Sequence, residues 1–210
     1  MKMIRGVLAV SLLGVAAVMT GCSKDPLTNL TTSETQIYIT DRDSNANFST
    51  YKTFAISDSV TVINNGQAVK EINTTDSAYI VAVKKYMQQS GYVLVNSNQS
   101  PDIAVDVSRI YNTSGVISYA DYGNYYGDYY DPYYWGYGGY GYYVPYSFVY
   151  QVTEGALSVD LLDLKNAAGK KKIDFIWSGL IRGEAVFNAN TADAQIQALF
   201  SQSPYLKTSN

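Results

Sequence analysis

Histidine is absent from this 210-residue sequence, and cysteine occurs once, at position 22. Those two facts exclude a His-based catalytic triad, a histidine metal site and an imidazole proton shuttle. No glycine-rich loop precedes a Lys-Ser/Thr pair, as phosphate binding requires. What remains is carboxylate chemistry, in which two acids flank a glycosidic bond. Asp102, Asp106, Asp160, Asp163 and Glu184 are the candidates. Asp106 and Asp160 alternate with apolar neighbours, so a solvated strand face is expected for both. Asp102 follows Pro101 in a turn, where Asp serves the backbone. Asp160-x-x-Asp163 has no further oxygen ligands nearby, which argues against calcium there. These residues predict no catalytic group, no metal site and no cofactor.

The single cysteine has a different chemistry in prospect. Lys2 and Arg5 precede an uncharged apolar run from Gly6 to about Met19. That run is too short for the ~20 residues of a spanning helix and has the flanks of a secretory leader. It ends in Met19-Thr20-Gly21-Cys22, which resembles a lipobox, where bacteria acylate a cysteine and cleave ahead of it. An exported chain has little use for one unpaired thiol, and acylation with palmitate-type chains removes it. Several chains on one cysteine make a lasting anchor, at ~0.8 kcal/mol per buried methylene. Residues 1–21 are therefore expected to be a signal peptide and 22–36 a lipidated, Ser/Thr-rich tether. The membrane, reached through lipid on Cys22, is the first expected partner. Ser23 lacks the Asp that holds many lipoproteins at the inner membrane, which points to the outer one. Removal of the leader leaves 13 basic against 18 acidic side chains. Nucleic acid is excluded as a partner, because no basic patch exists to release phosphate counterions.

Residues 118–146 form the third feature. The stretch carries thirteen tyrosines, six glycines and Trp135, and no Lys or Arg occurs from Ile110 through Leu164. Tyrosine offers a flat apolar face and a hydroxyl at low entropic cost, which suits recognition surfaces. Tyr125, Tyr126, Tyr129, Tyr130, Tyr133, Tyr134 and Trp135 are the candidate binding residues. Three states remain open for the insert: a mobile segment, a surface for binding or self-association, and an ordered hairpin. An envelope protein or a glycan is the partner to expect on such a surface.

The elements that position these groups can be read from periodicity. Tyr51–Ile56 reads as a strand. Tyr79, Ala82, Val83, Tyr86 and Met87 recur at helical spacing after an N-cap at Thr75, and Gly91 occupies the left-handed position past the helix end. Tyr92–Val95 is a short strand. Ile103, Val105 and Val107 alternate with Ala104, Asp106 and Ser108. Leu157–Leu162 and Ile173–Leu180 form a hairpin with its turn near Gly169, which places Phe175 and Trp177 on one face. Thr191 caps a last helix with a stripe of Ala192, Ile196, Leu199 and Phe200, ended by Pro204. The order β-α-β-β, then β-β-α, predicts an α+β fold with a mixed β-sheet and two helices packed on one face, interrupted by the Tyr/Gly-rich insert. Residues 37–210 are expected to form this single domain.

Several of these segments also resemble a known family. Ala46-Asn47-Phe48-Ser49-Thr50-Tyr51-Lys52-Thr53-Phe54-Ala55 resembles the opening motif of the bacterial envelope lipoproteins gathered as domain-of-unknown-function family 4136. Gly91-Tyr92 and Pro101-Asp102-Ile103 resemble its middle. Gly155-Ala156-Leu157-Ser158-Val159-Asp160-Leu161-Leu162-Asp163 and Ile176-Trp177-Ser178-Gly179 resemble its closing hairpin. The likeness runs from about Asp41 to Leu206 and includes the Tyr/Gly-rich insert. Ser178 departs from it, standing where Arg is expected between Trp and Gly. The resemblance implies a Gram-negative envelope lipoprotein of Bacteroidetes type and brings no activity or site residues. The expected function is accordingly a non-catalytic outer-membrane lipoprotein, an interaction or assembly module of the cell envelope. Carbohydrate or peptidoglycan binding through the aromatic insert is the alternative, and a carboxylate-based glycan hydrolase a third reading.

Overall fold

The computed structural model describes residues 31, 34–64, 67–111, 117–118, 132–145, 149–150 and 155–209. The chain divides into two units, Met1–Glu34 and Thr35–Asn210. Of the first, only Thr31 and Glu34 are described; the Glu34 carboxylate accepts hydrogen bonds from the Thr31 N–H and hydroxyl. The predicted leader, Cys22, most of the predicted tether and Tyr125, Tyr126, Tyr129 and Tyr130 lie outside the described residues.

The second unit is built on a mixed sheet. Its strands are β1 (Ile37–Arg42), β2 (Thr53–Ile56), β3 (Val60–Asn64), β4 (Gln67–Glu71), β5 (Val93–Leu94), β6 (Ile103–Tyr111), β7 (Ile117–Ser118), β8 (Gly141–Tyr143), β9 (Val149–Tyr150), β10 (Ala156–Asp163) and β11 (Lys172–Arg182). The main path runs β1-β11-β10-β6-β2-β5. Of the three long strands, β6 and β11 each run antiparallel to β10 between them. Two short parallel strands share the far edge of β6: β2 pairs with Ile103–Val105 and β3 with Ser108–Tyr111. Asp106 and Val107 face the break between them. β4 folds back on β3, and β8 runs parallel to the start of β11. β7 and β9 form a separate two-stranded ladder on either side of the insert.

Helix α1 (Thr74–Gln89) and helix α2 (Ala192–Ser201) pack on one face, as their apolar stripes require. The α1 start differs from the expected Thr75. Asn73 is the N-cap, and its side chain and that of Asp76 close a reciprocal capping box. The local Thr-Thr pair hid the better cap, two residues before Thr75. Gly91, at φ +94°, ends the helix as expected. The final hairpin is present, but its turn is a helical turn, Ala167–Lys170, followed by Lys171 at φ +54°.

A register shift opposite Leu161/Leu162 changes the predicted faces of β11. Ile176 and Trp177 both turn toward the helices, whereas Phe175 belongs to the opposite face. A β-bulge of this kind adds one residue to a strand and is invisible to a period-two pattern. Gly179 is required beside it, because a β-carbon there would run into the Trp177 ring and Leu199.

The largest correction concerns the second face of the sheet. It is not solvated. Ala55, Ile63, Ala104, Ile110, Ala156, Leu162, Phe175 and Leu180 are buried there beneath Trp135, with Tyr137, Tyr140, Tyr142 and Val144 packed against them. The later part of the insert is thus an ordered lid.

Candidate functional site beneath the aromatic lid

The register of the three long strands dictates what lies under that lid. Asp160 stands opposite Asp106 on one side and Ser178 on the other, and Ser158 stands opposite Ser108. Thr61 continues the serine row, opposite Ser108 across the parallel β3–β6 pair. Residues in register share a face, so six polar side chains form two adjacent rows on a surface otherwise apolar. Asp106 is 2% exposed, Asp160 0% and Thr61 1%. The sequence-based expectation that both acids face water is overturned. Alternation assigned them to the correct side of each strand, but the lid covers that side.

The two carboxylates have different surroundings. Asp160 accepts from the Ser178 hydroxyl at 2.6 Å and the Ser158 hydroxyl at 2.9 Å. Asp106 has Lys70 Nζ 4.0 Å from Oδ1, too far for a hydrogen bond, and Oδ2 has no partner among the described residues. Burial pushes its pKa up to about 6; Lys70 opposes the rise, Asp160 adds to it, and the Trp135 side chain favours the charged form. Thr61 Oγ1 is a second buried atom with no hydrogen-bond partner among the described residues. Among the described residues no three Asp, Glu, His or Cys side chains converge on one point. The rows therefore hold two acids and four hydroxyls.

The lid is anchored by aromatic contacts and by backbone. Trp135 is 4% exposed and meets Tyr134 edge-on at 4.7 Å between centroids. The Tyr137 hydroxyl donates to the Leu164 carbonyl at 2.9 Å, and Tyr142 meets the Phe175 ring edge-on. Lys172 lies 3.7 Å from the centroid of Tyr143, a cation–π contact. Tyr133 is 75% exposed. Its ring lies over Gly138, where any β-carbon would collide with it.

The remaining sequence candidates have structural duties. Asp102 accepts from the backbone N–H groups of Lys52 and Thr53, joining the start of β2 to β6. Asp163 lies on the helix side, opposite Ile103, and caps the hairpin turn through Asn166 and Lys170. It is thereby separated from Asp160 by the sheet itself. Glu184 is exposed near the end of β11. Sequence reasoning missed Lys70 and Thr61, because the β3–β4 hairpin was not foreseen. The alternation of Val60 and Val62 with Thr61 was the available signal. It also missed the Arg109 network, in which Nε lies 2.8 Å from Asp76 and Nη2 2.9 Å from Glu71. Burial pushes the Asp76 carboxyl up against the pull of that guanidinium.

Residues 39–205 match the family described as Domain of unknown function (DUF4136). A crystal structure of a DUF4136 family protein from Bacteroides thetaiotaomicron is similar at TM-score 0.70 and 25% identity, over 82% of this chain and 98% of that one. A PelC dodecamer from Paraburkholderia phytofirmans aligns at TM-score 0.41 and 10% identity, over 83% of this chain and 99% of that one. A PDZ domain protein from Parabacteroides distasonis aligns at TM-score 0.41 and 11% identity, over 82% and 37%. Neither of these two alignments carries a functional argument. No curated protein matches the chain.

Proposed function

The chain belongs to DUF4136, a family of domains of unknown function, and from that premise we propose a non-catalytic outer-membrane lipoprotein that acts as an interaction or assembly module. Lipid on Cys22 tethers it, and the aromatic insert is the surface it offers. The observation that carries this reading is the opposition within three consecutive residues: Trp135 buried at 4%, Tyr133 and Tyr134 exposed at 75% and 43%. An anchored segment that holds large aromatics outward is preorganised for contact, because little ordering remains to be done on binding. Asp102, Asp160 and Asp163 are held by backbone, hydroxyl, amide or lysine partners inside the fold, which supports a non-catalytic role.

Photo-crosslinking from position 143 in intact cells tests the proposal. A discrete envelope adduct is expected from the wild-type insert, and its loss from Tyr133→Ala/Tyr134→Ala at unchanged Tm. The same adduct after deletion of Tyr119–Tyr146, with the probe moved to Lys172, would remove the insert from the account. A glycan is the second reading, favoured by the flat, glycine-backed ring of Tyr133. Retention of the isolated protein on peptidoglycan, abolished by Tyr133→Ala, distinguishes it from a protein partner.

A further inference from the structure

Strand β1 forms an edge whose backbone is only half used. The main path of the sheet ends in β5, two residues, on one side and in β1, six residues, on the other. β1 runs antiparallel to β11, with Ile37 opposite Arg182 and Arg42 opposite Trp177. Just past that ladder the Asp43 N–H donates to the Ile176 carbonyl at 3.0 Å. Hydrogen-bonded pairs alternate along an antiparallel ladder. Ile37, Ile39 and Asp41 therefore turn their backbone groups toward β11, and Tyr38, Thr40 and Arg42 turn theirs outward. The Arg42 N–H is taken by its own neighbour, the Asp41 carboxylate, at 2.7 Å. No described residue bonds the outward N–H or carbonyl of Tyr38 or Thr40. Ile37 is 46% exposed at the same edge, and Ile39 is only partly covered on the lid face.

An open edge of this kind is a template for a further strand. We propose that the strand is β1 of a second copy of this chain, antiparallel across a two-fold axis through Ile39. In that register Tyr38 and Thr40 of each copy exchange hydrogen bonds with Thr40 and Tyr38 of the other, so the open groups are used and no others are needed. Ile39 meets Ile39 as a non-hydrogen-bonded pair, in which side chains approach most closely and β-branched residues pack well. Ile37 lies opposite Asp41, and no like charges are opposed. Asp41 selects this register. Axes through Thr40 or Asp41 need the Arg42 N–H that the Asp41 carboxylate holds, and the second also sets Asp41 on Asp41. An axis through Tyr38 pairs only Ile37–Ile39 of the strand. The edge thus matches itself in hydrogen bonds and in side chains, as a two-fold interface requires of one surface. Lipid on Cys22, on the reading proposed above, also holds many copies of this edge in one membrane. The axis stands perpendicular to the sheet, so both lids face the same way and the pair offers two aromatic surfaces side by side.

Disulfide trapping of the full chain in intact envelopes tests the edge, and its outcome does not depend on what the insert binds. In the proposed pair the two copies of residue 39 have Cα atoms about 4.5 Å apart, within disulfide reach. The two copies of residue 37 stand about 14 Å apart along the strands, beyond it. Ile39→Cys should therefore give a covalent dimer under mild oxidant, and Ile37→Cys and the wild type should not. Thr40→Pro removes an outward N–H and none that β11 uses, a change that edge strands tolerate. Added to Ile39→Cys, it should abolish the dimer with the urea transition retained; should that variant fail to fold, the contrast between positions 39 and 37 still decides. An Ile39→Cys chain that stays monomeric overturns the proposal. Equal crosslinking through position 37 does the same, as does a dimer that survives Thr40→Pro.

Discussion

The two faces of one sheet are covered in different ways. On the helix face, Leu157, Val159, Leu161 and Trp177 meet Val83, Met87, Ile196 and Leu199, and the charge buried there is paired, Arg109 with Asp76. On the lid face, the same strands present Ser158, Asp160, Asp106 and Ser178 to a cover made of tyrosine, tryptophan and glycine. The first arrangement is what burial at about 25 cal/mol per Å² favours. The second buries Asp106 with no counter-ion within hydrogen-bond distance, Lys70 standing 4.0 Å away, and such a charge destabilises a fold unless something compensates it. One face holds the domain together, and the other keeps polar groups that stability alone would have replaced.

That contrast can be broken most forcefully from the helix side. Trp177 is fully buried and its indole N–H donates to the Ser203 hydroxyl at 3.0 Å. Trp177→Ala should cost about 3–5 kcal/mol and leave little cooperative urea transition. A variant with an unchanged midpoint would show that the helix face is not the stabilising one.

On the lid face the expected sign is opposite. The folded-state pKa of Asp106, about 6, lies above the ordinary value of 3.8, so the fold favours its protonated form. That contribution is fully present below about pH 4 and is lost as pH rises through about 6. Asp106→Asn should therefore match wild type near pH 4 and exceed it by up to about 3 kcal/mol at pH 7.5. Urea unfolding at the two pH values measures the difference. A variant less stable at pH 7.5 would contradict the buried-charge account.

Trp135→Ala should open the lid without unfolding the sheet, at a local cost of roughly 2 kcal/mol. Hydrogen exchange would then speed up over residues 132–145 and stay slow in β10. Exchange that rises equally in both would mean that lid and sheet are one cooperative unit. Asn73→Ala removes the α1 cap and should cost about 1 kcal/mol, felt on the helix face alone.

The sequence made the helix face legible because that face obeys simple periods. The stripe from Tyr79 to Met87, the left-handed Gly91 and the stripe from Ala192 to Phe200 all lie where spacing puts them. The lid face was legible only by half. Alternation assigned Asp106 and Asp160 to the side away from the helices, but whether that side meets water depends on a segment distant in sequence, residues 132–145. Tyr and Gly at irregular spacing announce no strand, and β8 has only three residues, paired to β11 by backbone hydrogen bonds that sequence does not encode. The β11 bulge was hidden for a related reason: Phe175 and Trp177 look equivalent until one extra residue separates them. Lys70 and Thr61 came with a hairpin whose Val60–Asn64 strand lies beside β6 only in three dimensions.

Both faces serve the proposed role only if the domain is held at a membrane, and that rests on one sulfur. Growth with an alkyne-bearing palmitate analogue, followed by capture of the full chain, tests it directly. The account predicts label on the wild-type protein and none on Cys22→Ala, which should appear in the soluble fraction. An unlabelled wild type, or label that survives in Cys22→Ala, would contradict it.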